Sequence, residues 1–340
     1  PYALPSIVSV LSPLQISTNI QLIAVNLLLA LILVLLLALP AELLNAAVRE
    51  NYGDITRWMR ITGGRMHRIH RLATELPTHF ALIFFIVIGA ALYTFVDPSF
   101  GLNLTTAAEL LGLLGAFLAI TLTHDLARSV YFRRRLKKRS RLTTFPAGLV
   151  FALGLVVVSK IFHFQPGFIF GLMTGLAFST ELSDREDGKG LAIASIIVLL
   201  VSVAAWIIWV PVKQSVDGTT NPAFLLVVLD TLLATVWVAG IQSIIFAFIP
   251  LKFMDGEKVV AWSKVGWLAI YVFAMFVFVH TVLHPTSVRF GNTGQTAILS
   301  LALLLISFTL LAATVWTFFF VRNRRRPRLV GTEAPAPHQE

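Results

Sequence analysis

Long apolar runs separated by short polar breaks dominate the chain, and their length settles its class. A helix needs about 20 apolar residues to cross the hydrocarbon core of a bilayer. Runs of that order fall at about Ile20–Leu43, Thr78–Val96, Ala107–Tyr131, Leu191–Val210, Ala223–Phe248, Val265–Val282 and Ala297–Phe320. Two shorter apolar pieces, Phe145–Phe162 and Gly167–Thr180, are parted by Gln165-Pro166-Gly167, a turn signal. They read either as two short spans or as one re-entrant hairpin, which is tolerated only when buried in protein. The pattern therefore predicts an all-α, polytopic transmembrane helical bundle of seven to nine passes.

The polar stretches have their own pattern. Between the first two runs, Arg49, Arg57, Arg60, Arg65, Arg68 and Arg71 alternate with Ile55, Trp58, Met59, Met66 and Ile69, interrupted at Gly63-Gly64. This spacing predicts an amphipathic segment lying in the interface. From Arg322 the chain is basic, then polar and rich in Pro and Ala, which predicts a disordered tail. No internal repeat is visible. The chain starts at Pro1 with no charged segment and cleavage site ahead of the first run, so a signal peptide is not expected and a longer precursor is.

Composition agrees with the pattern. Of 340 residues, 57% are hydrophobic and 13% charged, against about 25% charged in soluble domains. Mean hydropathy is +0.82. With no cysteine, disulfides, thiolate metal sites and cysteine nucleophiles are excluded.

The net charge of +10 follows from topology rather than from nucleic acid. Of the 27 Lys and Arg, 24 fall in alternate connections: the first loop, Arg128–Arg141, Arg185–Lys189, Lys252–Lys264 and Arg322–Arg328. Only Lys160, Lys213 and Arg289 remain for the other side. Lys and Arg collect on the cytoplasmic side, which predicts the N-terminus outside and the C-terminus in the cytoplasm of a prokaryotic inner membrane. The bilayer, and protein partners in a larger assembly, are the expected neighbours.

Two polar clusters at the expected inner face carry candidate chemistry. One is His124-Asp125-Leu126-Ala127-Arg128, about one to two turns inside the Arg133 cluster at ~1.5 Å per residue. The other is Pro250-Leu251-Lys252-Phe253-Met254-Asp255-Gly256. An ionisable residue inside a span is a site candidate by default. Together they resemble the site-2 protease family of intramembrane zinc proteases, which carries H-E-x-x-H on one helix and N-x-x-P-x-x-x-L-D-G at the end of a later one. In such a helix two histidines at i and i+4 grip zinc while the Glu acts as base.

The resemblance covers about residues 110–265 and implies roles residue by residue. His124 falls on the first ligand and Asp125 on the base, one methylene shorter. Arg128 replaces the second ligand histidine. Pro250, Asp255 and Gly256 match, with Asp255 the third ligand; Met254 replaces Leu and Ala247 replaces the Asn. The implied organisation is an N-terminal membrane segment at 1–106, a protease-like core at 107–265, two further spans at 266–321 and a tail at 322–340.

Arg128 opposes zinc, because a guanidinium stays protonated and has no lone pair to give. It is expected to pair with Asp125 or to snorkel. The first reading is thus a non-catalytic member of the fold, acting as an anchor, scaffold or subunit, with His124 hydrogen-bonded to Asp125, Asp255 or a carbonyl. Asp255 also fits a second role, stabilising the start of a helix that begins near Glu257. The alternatives are an active protease, with zinc on His124, Asp255 and a third ligand among Glu181, Asp184, Glu186 and Asp187, and a transporter or channel routed through Asp230 at mid-span. Glu109 and Glu181 lie near the other ends of their segments. His280 and His284, four apart, read as an interfacial pair facing water. His67, His70 and His163 read as loop residues.

Overall fold

The computed structural model describes residues 10–51, 53–54, 78–95, 100–137, 140–144, 153–154, 156–157, 174–178, 183–252, 254–283 and 292–325. Its helices are α1 (Ile20–Glu50), α2 (Thr78–Thr94), α3 (Leu104–Tyr131), α4 (Asp184–Asp217), α5 (Phe224–Ala247), α6 (Asp255–Trp262), α7 (Lys264–Phe278) and α8 (Asn292–Arg325). Two π-turns, Phe132–Leu136 and Val279–Leu283, extend α3 and α7. Among the described residues six helices are long and apolar enough to cross a membrane: α1, α3, α4, α5, α7 and α8. The chain is therefore a helical integral membrane protein. Helix α2 is shorter, at 17 residues. The expected interfacial segment, the turn at Gln165-Pro166-Gly167 and the tail beyond 325 lie outside the described residues.

Local chemistry sets the helix starts. Asn19 caps α1 by accepting from the Gln21 amide at 2.8 Å, and Asn103 caps α3 by accepting from Thr106 at 2.8 Å. Ser183 and Glu186 form a reciprocal capping box at the start of α4, as Ser followed three residues later by Glu favours. The π-turn after α3 ends at Lys137, which takes a left-handed conformation at φ 53°.

One ladder interrupts the helical pattern. Ser140–Thr144 (β1) pairs antiparallel with Thr174–Phe178 (β2), Leu142 opposite Leu176. Of the piece Gly167–Thr180 only Thr174–Phe178 is described, and it is a paired strand rather than a helix; a strand can satisfy its backbone only by such pairing.

Helix α5 is the centre of the bundle: 61% of its spanning window is buried, against 22% for α1 and 11% for α8. Its most extensive packing is against α3 and α4. Small residues make the approach close, as in membrane bundles generally. A Cβ at Gly112 of α3 would stand 2.7 Å from the Thr231 side chain of α5. Trp206 of α4 stacks on Trp237 of α5 with centroids 4.2 Å apart. The outward faces remain apolar, for example Leu28, Leu35 and Leu39 on α1 and Leu310 and Leu311 on α8, as lipid-facing surfaces must be.

Hydrogen bonds and ion pairs fix which helix ends share a level. At one end Asn51 meets Asn323 at 3.0 Å, Arg322 meets Asp54 at 3.6 Å and Arg49 meets Glu257 at 3.7 Å. This is the end rich in Lys and Arg, called here the basic end. At the opposite end the Trp206 indole donates to the Leu11 carbonyl at 2.9 Å.

Candidate functional site

His124 and Arg128 lie one turn apart on α3, on the face turned into the bundle. His124, Asp125 and Arg128 are all buried. The His124 Nδ1 lies 3.3 Å from the Asp125 Oδ1, so of the three partners open to it the neighbouring carboxylate is the one found. Arg128 does something else. Its guanidinium donates to the Oδ1 of Asp187, in the first turn of α4, and lies 6.0 Å from the centroid of the Phe132 ring. The expectation of a pair with Asp125 is corrected: the partner stands 59 residues later, on another helix.

Asp187 holds a second cation. Lys258 of α6 donates to its Oδ2 at 2.7 Å. Each carboxylate oxygen thus takes one donor, and a single buried acid joins α3, α4 and α6. Gly188 makes this possible. A Cβ there would overlap the Lys258 carbonyl oxygen and touch the Trp262 Cβ at 3.0 Å, so only glycine lets α6 sit flush on α4.

The second motif forms a tight turn between α5 and α6. Asn45 of α1 grips it with both ends of its amide. Its Nδ2 donates to the Pro250 carbonyl at 2.6 Å, and its Oδ1 accepts from the Lys252 amide at 2.9 Å. Gly256 packs against the carbonyls of Phe248 and Ile249 at the end of α5, leaving no room for a side chain. Helix α6 starts at Asp255 itself, two residues earlier than expected, with Met254 at the cap position. Asp255 therefore sits in the first turn, where the helix dipole favours an acid. Ala247, in place of the family's Asn, is the last residue of α5 and is buried.

The two motif segments therefore meet at one level of the bundle, but through Arg128, Asp187 and Lys258. His124 and Asp255 are not within ion-pair distance of each other. Among the described residues no three His, Asp or Glu side chains gather closely enough to hold a metal. Of the third-ligand candidates, Asp187 is held by its two cations and Glu186 by the cap on Ser183. Asp184 is exposed, and Glu181 lies outside the described residues.

The other candidates resolve separately. His280 is buried, which corrects its reading as facing water. It lies in the π-turn after α7, where Asn26 of α1 meets its Nδ1 at 2.8 Å and its Nε2 reaches the Ser17 carbonyl at 3.1 Å. His284, like His67, His70 and His163, lies outside the described residues. Asp230 sits in the second turn of α5, toward the opposite end rather than at mid-span, and accepts from the buried Trp209 indole at 2.6 Å. Glu109 is buried in the second turn of α3.

Sequence reasoning missed Asp187 as a structural acid, and Asn26 and Asn45 altogether. One signal for the asparagines was present: a carboxamide inside the apolar run Ile20–Leu43 and another two residues past its end, where a polar group without a partner is costly. No protein-family model, curated protein or solved structure matches the chain.

Proposed function

We propose that this chain is a non-catalytic integral membrane protein with a site-2-protease-like core, acting as an anchor, scaffold or subunit of a larger membrane assembly. The observation that carries this reading is Arg128. At the position of the second ligand histidine it holds a permanent positive charge, and that charge is engaged by Asp187. A cation fixed one turn from His124 repels a metal ion there. The motif positions join helices instead: Arg128 ties α3 to α4, and the turn carrying Asp255 is clamped to α1 by Asn45.

The proposal places the N-terminus outside and the C-terminus in the cytoplasm of a prokaryotic inner membrane, with α2 as a seventh pass. Gathering of Arg49, Arg322, Lys252 and Lys258 at one end of the bundle supports that orientation under the positive-inside rule. Because the chain has no cysteine, single cysteines at Thr219 and Asn323 can be labelled from either face without background. Label reaching position 323 from outside would overturn the orientation.

Metal analysis of the purified protein tests the function. The expected result is zinc well below one equivalent, unchanged in His124→Ala. Stoichiometric zinc lost in both His124→Ala and Asp255→Ala would establish the alternative, an active intramembrane zinc protease with an unusual ligand set.

A further inference from the structure

We infer that a groove between α3 and α4 at the basic end binds one anionic diacyl phospholipid, headgroup at the arginines and acyl chain along the helices. The inference needs only a membrane-embedded bundle, so it stands or falls separately from the protease-like reading.

The groove has a volume of about 490 Å³. Its walls are Leu126, Ala127 and Val130 of α3 and Ile193 and Ile197 of α4, and its rim is Tyr131, Arg134 and Arg135. From Thr123 at its deep end to Arg134 it runs eleven residues, or about 16 Å at the helical rise. That is about half of a ~30 Å hydrocarbon core, the depth of one leaflet. A chain entering from the basic end would follow it to the bilayer midplane and no further.

The charge pattern matches along both helices. On α4, Arg185, Lys189, Ile193 and Ile197 are spaced four apart and share one stripe, basic for the first two positions and apolar for the next two. On α3 the same change occurs between Val130 and Arg134. Arg134, Arg135, Arg185 and Lys189 are exposed. Among the described residues none of the four has a carboxylate partner, whereas Arg128 and Lys258 nearby are engaged by Asp187. Basic pockets between helices at the cytoplasmic face suit phosphate headgroups, and a guanidinium pair matches a phosphate bidentately.

A lipid fits this surface better than a second helix. Helices associate in membranes through small residues that let backbones approach. Here the walls are mainly branched aliphatics, with Leu126 60% and Val130 45% exposed. Tyr131 at the rim supplies an amphipathic ring at headgroup level.

Native mass spectrometry of the full chain in neutral detergent, titrated with phosphatidylglycerol or phosphatidylcholine, tests the assignment. The expected result is one phosphatidylglycerol retained, with phosphatidylcholine at least about tenfold weaker. Arg134→Ala/Arg135→Ala should lose that preference. Ala127→Trp, which fills the groove and leaves the rim charges, should weaken phosphatidylglycerol to a similar degree. Arg133→Ala, one residue from the rim but outside the groove, should bind as the parent does. Millimolar inorganic phosphate should not displace the lipid, since it lacks the chain the walls hold. Helix content by circular dichroism confirms that each variant is folded. Equal binding of the two lipids, an Arg133→Ala loss equal to that of the rim pair, or displacement by phosphate would overturn the assignment.

Discussion

Replacing Arg128 by Met removes one of the two cations on Asp187 while keeping most of the side-chain volume. The remaining carboxylate is 8% exposed, and its other cation, Lys258, is 39% exposed. Breaking a buried pair from one side costs about 3–5 kcal/mol, because a charge is left buried without compensation. Lys258 offsets part of that, so the expected loss is about 3 kcal/mol. Lys258→Met removes the more exposed cation and leaves Arg128 in place, so it should cost about 1 kcal/mol, in the range of solvent-exposed pairs. Arg128→Met/Asp187→Leu removes both buried charges; Lys258 can then turn to water, and the double variant should recover to within about 1 kcal/mol of the parent. Equilibrium unfolding in mixed micelles of rising sodium dodecyl sulfate fraction, followed by tryptophan fluorescence, measures all three. The coupling energy between positions 128 and 187 should be about 2 kcal/mol or more. Additive losses at 128 and 187, or a larger loss for Lys258→Met than for Arg128→Met, would refute the account of Asp187 as the joint of three helices.

Three other substitutions probe the remaining contacts by the same unfolding assay. Asn45→Ala leaves the Pro250 carbonyl and the Lys252 amide without their partner and should cost about 2–3 kcal/mol; Asn45→Gln, with the same groups on a longer arm, should not restore it. Gly188→Ala forces α6 away from α4 and should destabilise by about 2 kcal/mol, as overpacking does, and it should enlarge the 128–187 coupling, because Lys258, carried off with α6, no longer offsets the loss of Arg128. Trp209→Phe removes the indole donor to Asp230 and should cost about 1–3 kcal/mol, while Trp209→Leu should cost more because it also opens a cavity.

Much of the architecture could be read without coordinates because the bilayer imposes a length on every crossing helix. The runs at Ile20, Ala107, Ala223 and Val265 each correspond to a helix, and Asn19, Asn103 and Ser183 stand where caps belong. The strand at Thr174–Phe178 escaped because an apolar run of that size has no periodicity to separate a strand from a short buried limb. Its partner, Ser140–Thr144, lies across a connection of about thirty residues.

The site divides along the same line. His124 and Asp255 were singled out by residue type and spacing, and local rules accounted for the helix start at Asp255. The partner of Arg128 was out of reach of such rules. Asp125, three residues away, satisfied charge and proximity along the chain, yet the fold selected Asp187. Likewise His280 looked interfacial because its Asn26 partner is 254 residues distant.

Hydrophobicity is a property of each segment and needs no partner, so the amino-acid order alone determined a membrane-embedded helical protein with basic residues in alternate connections. Pairing of buried charges and amides depends on which helix faces which, and that is set by close packing at Gly112, Gly188 and Gly256. Only the tertiary structure decided that Arg128 and Lys258 share one carboxylate, and that Asn45 holds the turn before Asp255.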